Sequence, residues 1–488
     1  MYHDAVVYLD ELGALRHDGN QFLPDQTITR VEFLAMVASL MEVPPGFSAS
    51  SAKIDETGIA NWAKGNKLIP AGKENSFAPD EALTKEEAIQ ILYQFSDELE
   101  SYDYLPMVED GQELFVDDDE ISPNAVKAVT DFYDAGFLSV EGDDALHPAD
   151  PISKGEVAQL LYRYHLLTTK PDIEIDGFTY SYEGTGDLTP EELAANDAEA
   201  AAYAATLQSQ SDEGSSETSD LEESPHGVSY FAIPSVSIVS DADGGEATLS
   251  WAGKGHNFII YQAFIILQAK TSTGFAKYNK ACPPKMSGCS YTKGIDIVKY
   301  YSVKTDDIEN GPIKTYAGHF YDPDKGDSYM PGTSYKNAYR NFNDHHYSAI
   351  VQWKSGQKKL GYKELGMALH YLEDLNTPHH AANKIAGLTK HKQYESWFNH
   401  QIASNTGYYA VYSAPEDTYN YTLNSTFIKM ANNWASLAKS YWPTCEGYML
   451  GQSTLLNQTK SYTKAALATA QRGSAGILYR YLKVTGQM

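Results

Sequence analysis

The chain contains 488 residues, with 37 Lys and Arg, 65 Asp and Glu, and a formal net charge of −28. Its hydrophobic content of 42% excludes a mainly disordered chain, and its length allows two or three domains. No apolar run approaches the roughly 18 residues that a membrane span requires, and the three cysteines lack the spacing of a disulfide framework or a zinc cluster.

The charge is divided unequally along the chain. Residues 1–250 hold 11 Lys and Arg against 50 Asp and Glu, whereas residues 251–488 hold 26 against 15. Such different halves favour two different functions. The acidic half would repel nucleic acid and anionic lipid, whereas the basic half tolerates an anionic partner.

Three segments of the acidic half share one plan. They are "FLPDQTITRVEFLAMVASLM" (22–41), "FAPDEALTKEEAIQILYQF" (77–95) and "LHPADPISKGEVAQLLYRY" (146–164). In each segment a Thr or Ser is followed by a base and, three residues after the Thr or Ser, by a Glu. Thr29, Thr84 and Ser153 are therefore predicted N-caps, and the glutamates complete capping boxes. The pattern predicts three helical repeats, with bounds at 1–45, 46–100 and 101–168.

The first repeat carries the fullest motif, "DGNQFLPDQTITRVEF" (18–33), which resembles the S-layer homology domain. The other repeats are looser, with Lys85 and Lys154 in place of Arg30. The resemblance implies a pseudo-threefold helical unit that binds an anionic secondary cell-wall polysaccharide through these three bases. A base near a helix N-terminus is unfavourable for the helix dipole, which a bound anion would explain. The alternative is that all three are solvated residues of a first helical turn.

Residues 169–250 change in composition. The stretch "ELAANDAEAAAYAATLQSQSDEGSSETSDLEESPHG" runs from Ala-rich to Ser-, Asp- and Glu-rich with few residues that could pack. This composition is typical of an extended acidic linker.

Titratable residues recur at helical spacing in the basic half. His370 and Asp374 are four residues apart in "ELGMALHYLEDL", and His391 and Glu395 repeat that spacing in "TKHKQYESWF". Residues four apart on a helix lie on one face, so each pair can reach one cation. One such pair is common on exposed helices. Two pairs with His380 between them favour a metal site.

Two further stretches add candidate ligands. His256 opens the apolar segment "WAGKGHNFIIYQAFIIL", and His319 follows Asp307 by twelve residues in "KTDDIENGPIKTYAGHFYDPD". Imidazole and carboxylate are the ligands that zinc prefers where thiolate is absent. The full set exceeds what one tetrahedral ion needs, so it predicts a cluster of two or three zinc ions.

The order of these motifs, including "HFYDPD" and "HYLEDLNTPHHAAN", resembles that of bacterial zinc-dependent phospholipases C over residues 251–488. The resemblance implies an all-α bundle with the metals in a cleft. It assigns one zinc to Asp307, His319, His370 and Asp374, and a second to His380, His391 and Glu395. Asp374 would bridge to a third ion held by His256 and Trp251. Asp307 would act as general base and Tyr316 would line the substrate pocket, whereas His379 has no counterpart and would lie behind the ligands or be exposed.

Trp251 departs from this family pattern. In the phospholipases the corresponding Trp is the mature N-terminus, whereas here it follows 250 residues. Either the chain is cut before Trp251, which would release the enzyme from its anchor, or the third metal is weak or absent. The short interval between Trp251 and His256 is more typical of single-strand-specific zinc nucleases, which share the fold.

The expected function is that of a zinc-dependent phospholipase C anchored at the bacterial cell surface, in a mainly α-helical protein. It would hydrolyse the glycerol-side phosphodiester of membrane phospholipids to diacylglycerol and a phosphorylated head group, with no obligate protein partner. The alternatives are a zinc nuclease or other phosphodiesterase, whose partner would be nucleic acid, and a non-catalytic wall-binding protein. The start "MYHDAVVYLDELG" lacks a signal peptide, so we expect the extracellular chain to begin after a lost export signal.

Overall fold

The computed structural model describes most of both halves of the chain. The described residues are 2–17, 21–40, 56–66, 68–69, 78–96, 114–138, 145–175, 178–183, 255–282, 291–308, 316–330, 336–386 and 388–488. As predicted, this part of the chain is mainly helical. Among these residues, no helix combines the length and the apolar character needed to cross a membrane.

Six α-helices form the described amino-terminal half, and the predicted capping boxes begin three of them. The helices are α1 (His3–Glu11), α2 (Arg30–Leu40), α3 (Glu56–Gly65), α4 (Lys85–Phe95), α5 (Val126–Asp134) and α6 (Lys154–Thr169), with a 3-10 turn at Asp118–Glu120. Thr84 and Ser153 each accept a hydrogen bond from the backbone of the glutamate three residues later, whose side chain bonds back. Thr29 makes the same reciprocal pair with Glu32, at 3.1 and 3.3 Å. These boxes satisfy amide groups that a helix start otherwise leaves unpaired.

The residues that precede α2, α4 and α6 are joined in a closed ring. The Leu83 amide donates to the Ile28 carbonyl at 2.9 Å, the Ile152 amide to the Leu83 carbonyl at 2.9 Å, and the Ile28 amide to the Ile152 carbonyl at 3.2 Å. All three side chains are buried. Equivalent segments of the three predicted repeats therefore meet around one axis.

The bases predicted to face a wall polymer form a second ring, with the capping-box glutamates as partners. The pairs are Arg30–Glu87 at 2.9 Å, Lys85–Glu156 at 2.9 Å and Lys154–Glu32 at 3.9 Å. The Arg30 side chain is 13% exposed and that of Lys154 only 3%. Carboxylates of neighbouring repeats thus supply the anions that a base at a helix N-terminus requires. Contact of these bases with a polymer stays a prediction.

The described carboxy-terminal half is a helical bundle. Its helices are α7 (Gly255–Lys270), α8 (Ser272–Tyr278), α9 (Gly294–Ile308), α10 (Ala338–Lys354), α11 (Lys358–Leu375), α12 (Pro378–Ala381), α13 (His391–Ser404), α14 (Thr406–Tyr409), α15 (Glu416–Asn424), α16 (Phe427–Met449) and α17 (Leu456–Val484), with 3-10 turns at Ala317–His319 and Ser453–Leu455.

Helix α11 is the central element of this bundle. It is buried along almost its whole length and packs against α9, α10, α16 and α17. Gly366 permits the close approach of α9, because a Cβ at this position would lie 2.6 Å from the Val298 carbonyl oxygen. The apolar core around α11 continues into the amino-terminal helices. His370 and Asp374 lie near the carboxy-terminal end of α11 and are buried within this core.

The predicted acidic linker begins inside the fold. Strands β1 (Ile173–Ile175) and β2 (Phe178–Tyr180) form an antiparallel hairpin, with Ile173 opposite Tyr180. Both of these side chains are buried. The remainder of the predicted linker, 184–250, lies outside the described residues.

Candidate metal centre

Six elements deliver histidines and carboxylates to one region at the end of α11. The side chains, in chain order, are His256 on α7, Asp306 on α9, His319 on a 3-10 turn, His370 and Asp374 on α11, His379 and His380 on α12, and His391 and Glu395 on α13. All except Asp306 are buried. So many buried titratable groups are costly unless a cation or each other satisfies them.

The first group surrounds the pair that the helical spacing predicted. His370 Nε2 lies 3.2 Å from Asp374 Oδ2 and 3.0 Å from His319 Nδ1. Asp306 Oδ1 lies 3.6 Å from His370 Nε2 and 3.7 Å from His319 Nε2. Donors at about 2.0–2.1 Å from one tetrahedral zinc stand roughly 3.3 Å apart. The spacing and chemistry of this donor set therefore fit a zinc ion.

Helix α9 also orients His370. The His370 Nδ1–H donates to the Ser302 carbonyl at 2.8 Å, which leaves Nε2 facing Asp306 and Asp374. A hydrogen bond from the remote ring nitrogen fixes the tautomer in many metal sites. Burial lowers the pKa of His370, but the charges of Asp374 and Asp306 outweigh it and raise the pKa above its ordinary value.

His256 joins this group from α7. Its ring stacks on that of His370, with centroids 4.1 Å apart, and its Nε2 lies 3.9 Å from Asp374 Oδ1. Burial lowers the pKa of His256 well below its usual range, so the ring is neutral. Its Nδ1 lies 2.5 Å from Glu373 Oε2. Burial raises the pKa of Glu373 well above normal, whereas a cation held nearby favours the ionised form that accepts from Nδ1–H.

The second group lies beside α13. Glu395 Oε1 is 2.9 Å from His391 Nε2 and 3.4 Å from His379 Nε2. The His391 Nδ1–H donates to the Lys384 carbonyl at 2.7 Å, which again leaves Nε2 for an ion. Burial raises the pKa of Glu395, but the hydrogen bonds from His379 and His391 outweigh it and hold this pKa well below normal. The carboxylate is therefore ionised and available as a ligand.

Asp374 connects the two groups. Its Oδ1 accepts from His380 Nδ1 at 2.8 Å, while its Oδ2 lies 2.8 Å from His319 Nδ1. Burial raises the pKa of Asp374, but the surrounding imidazoles, above all those of His370 and His380, lower it well below its ordinary value. A carboxylate with both oxygens engaged in this way can bridge two cations.

The structure brings together most of the predicted ligands. These are His256, His319, His370, Asp374, His380, His391 and Glu395. Tyr316 lies at the edge of the centre, 41% exposed, with its ring centroid 6.0 Å from that of His319. Trp251 lies outside the described residues. Arg30, Lys85 and Lys154 belong to the ion pairs between the amino-terminal repeats.

Asp307 is a predicted ligand on which the described residues give no test. Its side chain lies outside the described residues, and the preceding Asp306 is the carboxylate that faces His319 and His370. Asp307 as a ligand therefore stays a prediction, and Asp306 is a further candidate beside it. The number of residues between the carboxylate and His319 does not by itself distinguish Asp306 from Asp307.

Two further residues lie directly against the predicted ligands. His379, expected to lie behind the ligands or be exposed, is 0% exposed and lies against Glu395. Pro378 begins a short helix, α12, on which consecutive histidines both turn inward. Glu373 was missed because it does not share the His370–Asp374 spacing, although it lies against His256. Its signal in the sequence is a second carboxylate directly beside Asp374.

Comparison with known proteins finds a family match within this half of the chain. Residues 256–453 match the family model for zinc dependent phospholipase C. This region is a zinc-dependent phospholipase C domain. Residues 114–158 match the S-layer homology domain, which covers part of the third predicted repeat. That the first two repeats also belong to this family stays a prediction.

Curated relatives match the same half. A phospholipase C of Listeria monocytogenes is 26% identical over 191 residues, covering 36% of this chain and 60% of the relative. One from Clostridium perfringens is 28% identical over 191 residues, covering 36% and 46%, and one from Bacillus cereus is 35% identical over 104 residues, covering 20% and 36%. The chain thus spans about half the length of the curated relatives it matches.

Two solved structures match about half of this chain, both with low TM-scores. The alpha toxin from Clostridium absonum is 23% identical with a TM-score of 0.39, covering 50% of this chain and 65% of the toxin. The alpha-toxin of Clostridium perfringens strain SWCP is 21% identical with a TM-score of 0.40, covering 50% and 66%.

Proposed function

We propose that this protein is a cell-surface-anchored, zinc-dependent phospholipase C. It cleaves the glycerol-side phosphodiester of membrane phospholipids and yields diacylglycerol and a phosphorylated head group. The observation that carries the proposal is the convergence of two buried His and carboxylate groups, joined by Asp374, within the matched domain.

The donor set assigns the ions as follows. Asp306, His319, His370 and Asp374 would hold one zinc, and His380, His391 and Glu395, with His379 beside them, would hold a second. His256 would contribute to a third, which Trp251 completes only if the chain is processed to begin there. Bound zinc neutralises phosphodiester oxygens and activates water for attack at phosphorus.

The chain's own residues divide the remaining tasks. Asp306 is the most accessible carboxylate of the set, with a side chain 15% exposed, whereas Asp374 is fully buried. We therefore propose Asp306 as the general base, the role that the family resemblance implied for Asp307. Tyr316 occupies a left-handed backbone conformation, with φ of 52°, that presents its ring at the rim of the centre. It is placed to contact the lipid head group or the ester oxygens.

The amino-terminal repeats supply the location. The S-layer homology match supports attachment to a wall polymer, with secondary cell-wall polysaccharide as the proposed partner. A phospholipid surface is the partner of the second half. Its excess of Lys and Arg over Asp and Glu favours contact with phosphate groups.

The test is hydrolysis by the full chain of phosphatidylcholine vesicles and, separately, of a single-stranded oligonucleotide. We expect diacylglycerol release that Asp374→Asn lowers at least about 100-fold. His400→Ala is the matched control, because His400 is an exposed histidine on the same helix as His391. Cleavage of the oligonucleotide alone would favour the nuclease, and cleavage of neither substrate by zinc-loaded protein would leave only wall binding.

A further inference from the structure

The chain crosses from its amino-terminal half to its carboxy-terminal half through a docked hairpin. We call residues 2–183 the amino-terminal module and residues 255–488 the zinc domain. The β1–β2 hairpin belongs to the module but lies against helix α10 of the zinc domain. Ile173 and Tyr180 are each 2% exposed at this contact.

Polar side chains fix the hairpin to α10. Lys170 Nζ donates to Asp344 Oδ1 at 2.6 Å, and the Tyr182 hydroxyl donates to the same oxygen at 2.5 Å. The Tyr180 hydroxyl lies 2.7 Å from His346 Nδ1. Asp344 and His346 are both buried. Charge-assisted hydrogen bonds of this kind are among the strongest that side chains make.

Contacts also form on both sides of the hairpin. The Glu183 carboxylate accepts from the Phe427 and Ile428 amides at 2.5 and 3.1 Å, and so caps the N-terminus of α16. Before the hairpin, Gln352 Nε2 of α10 donates to the Gly136 carbonyl at 2.8 Å. A side chain at Gly136 would displace this amide, because a Cβ there would lie 2.5 Å from Gln352 Nε2. The interface therefore extends from the end of α5 to the start of α16.

The two halves also share one apolar core. The ring of Tyr347 on α10 lies tilted against that of Tyr180, with centroids 6.0 Å apart, and contacts Tyr182 edge to face at 5.5 Å. Its hydroxyl donates to the Pro171 carbonyl at 2.7 Å. Aromatic rings with satisfied hydroxyls are typical of the centre of a stable interface.

From these contacts we propose that the amino-terminal module is a bound partner of the zinc domain and not only tethered to it. A cut between residues 184 and 254 then leaves two fragments associated through the hairpin, α10 and α16. Processing before Trp251 and release from the wall become separate events. The new N-terminus can form while the enzyme stays on its anchor.

The requirement on this interface is quantitative. While one chain joins two modules, their effective concentration is about a millimolar. Cutting the chain at about 1 µM protein lowers that concentration roughly a thousand-fold. Association that survives therefore needs a Kd well below micromolar, which interfaces of buried aromatic and charge-assisted contacts reach.

The experiment uses the full chain with a protease recognition site in place of residues 213–219. After complete cleavage, the protein is run on gel filtration with light scattering at about 1 µM. We expect one species with the mass of the uncut chain. Two species with the masses of the fragments would overturn the proposal, as would loss of the zinc domain from wall-bound protein on cleavage.

Substitutions then test which contacts hold the fragments. The triple variant Tyr180→Phe, Tyr182→Phe and Glu183→Ala removes hydrogen bonds from the module side only. We expect its apparent Kd after cleavage to rise at least about 100-fold. The matched control is Thr179→Ala, because Thr179 is exposed and, among the described residues, its side chain bonds to Glu174 within the same hairpin. Equal behaviour of the two variants would contradict the assignment of this interface. The result does not depend on phospholipase activity.

Discussion

Asp306→Asn tests the candidate ligand that the structure adds to the predicted set. Asp306 Oδ1 lies 3.6 and 3.7 Å from the Nε2 atoms of His370 and His319. Two unit charges about 4 Å apart interact by about 4 kcal/mol at an effective dielectric constant near 20. The variant loses this attraction to a divalent cation but no longer needs to desolvate a charged carboxylate. We therefore expect a net loss of at least about 2.7 kcal/mol in the free energy of zinc binding, which is about 100-fold in zinc affinity.

The assay is competition for zinc against a chromophoric chelator, with the variant's fold checked by circular dichroism. Asp307→Asn is the matched control, since it removes the same charge one helical position away, about 100° around α9. We expect the control to change zinc affinity by less than about threefold. Equal losses, or a larger loss in Asp307→Asn, would refute the placement of Asp306 and restore the residue that the sequence predicted.

Three further substitutions test the centre, the interface and the repeats. Glu373→Leu removes the acceptor that orients His256, so we expect zinc affinity to fall 10–100-fold in the same competition assay; unchanged affinity would remove that role. Asp344→Asn removes the buried carboxylate that pairs with the half-buried Lys170 and Lys336 at 2.6 Å each, and it is expected to cost about 2 kcal/mol in urea unfolding at pH 7. Burial raises the pKa of Asp344, but the paired lysines outweigh burial and lower this pKa below its ordinary value. The difference in unfolding free energy between wild type and variant should therefore persist above about pH 4 and disappear as the pH falls through the folded-state pKa. A difference that stays constant with pH would contradict this. Arg30→Ala should lower the free energy of unfolding by about 3 kcal/mol, because it breaks a largely buried ion pair. The control Lys127→Ala breaks an exposed pair and should lower it by under about 1 kcal/mol. Equal values would show that the ring of ion pairs does not stabilise the repeats.

Local sequence predicted what depends on helical periodicity. The spacing of His370 to Asp374 and of His391 to Glu395 placed each pair on one helix face, and the structure confirms both. The capping boxes at Thr84 and Ser153 were predicted from residues three apart and are present. In each case the interacting groups lie within about one turn of helix.

The residues that the sequence did not predict depend on helix phase or on distant contacts. Asp306 and Asp307 are adjacent, and only the packing of α9 against α11 decides which one faces inward. The pairing of Lys170 with Asp344 joins residues 174 positions apart, so composition alone assigned Lys170 to an extended linker. Arg30 seemed to need an external anion because its partner Glu87 belongs to another repeat.

The most direct measurement of the central claim is the zinc content of the purified full chain, determined by elemental mass spectrometry after gel filtration. We expect two or three zinc ions per folded chain, with at least one lost in Asp374→Asn, whose carboxylate connects the two groups. A folded chain that retains less than one equivalent of zinc after exposure to excess metal would contradict it.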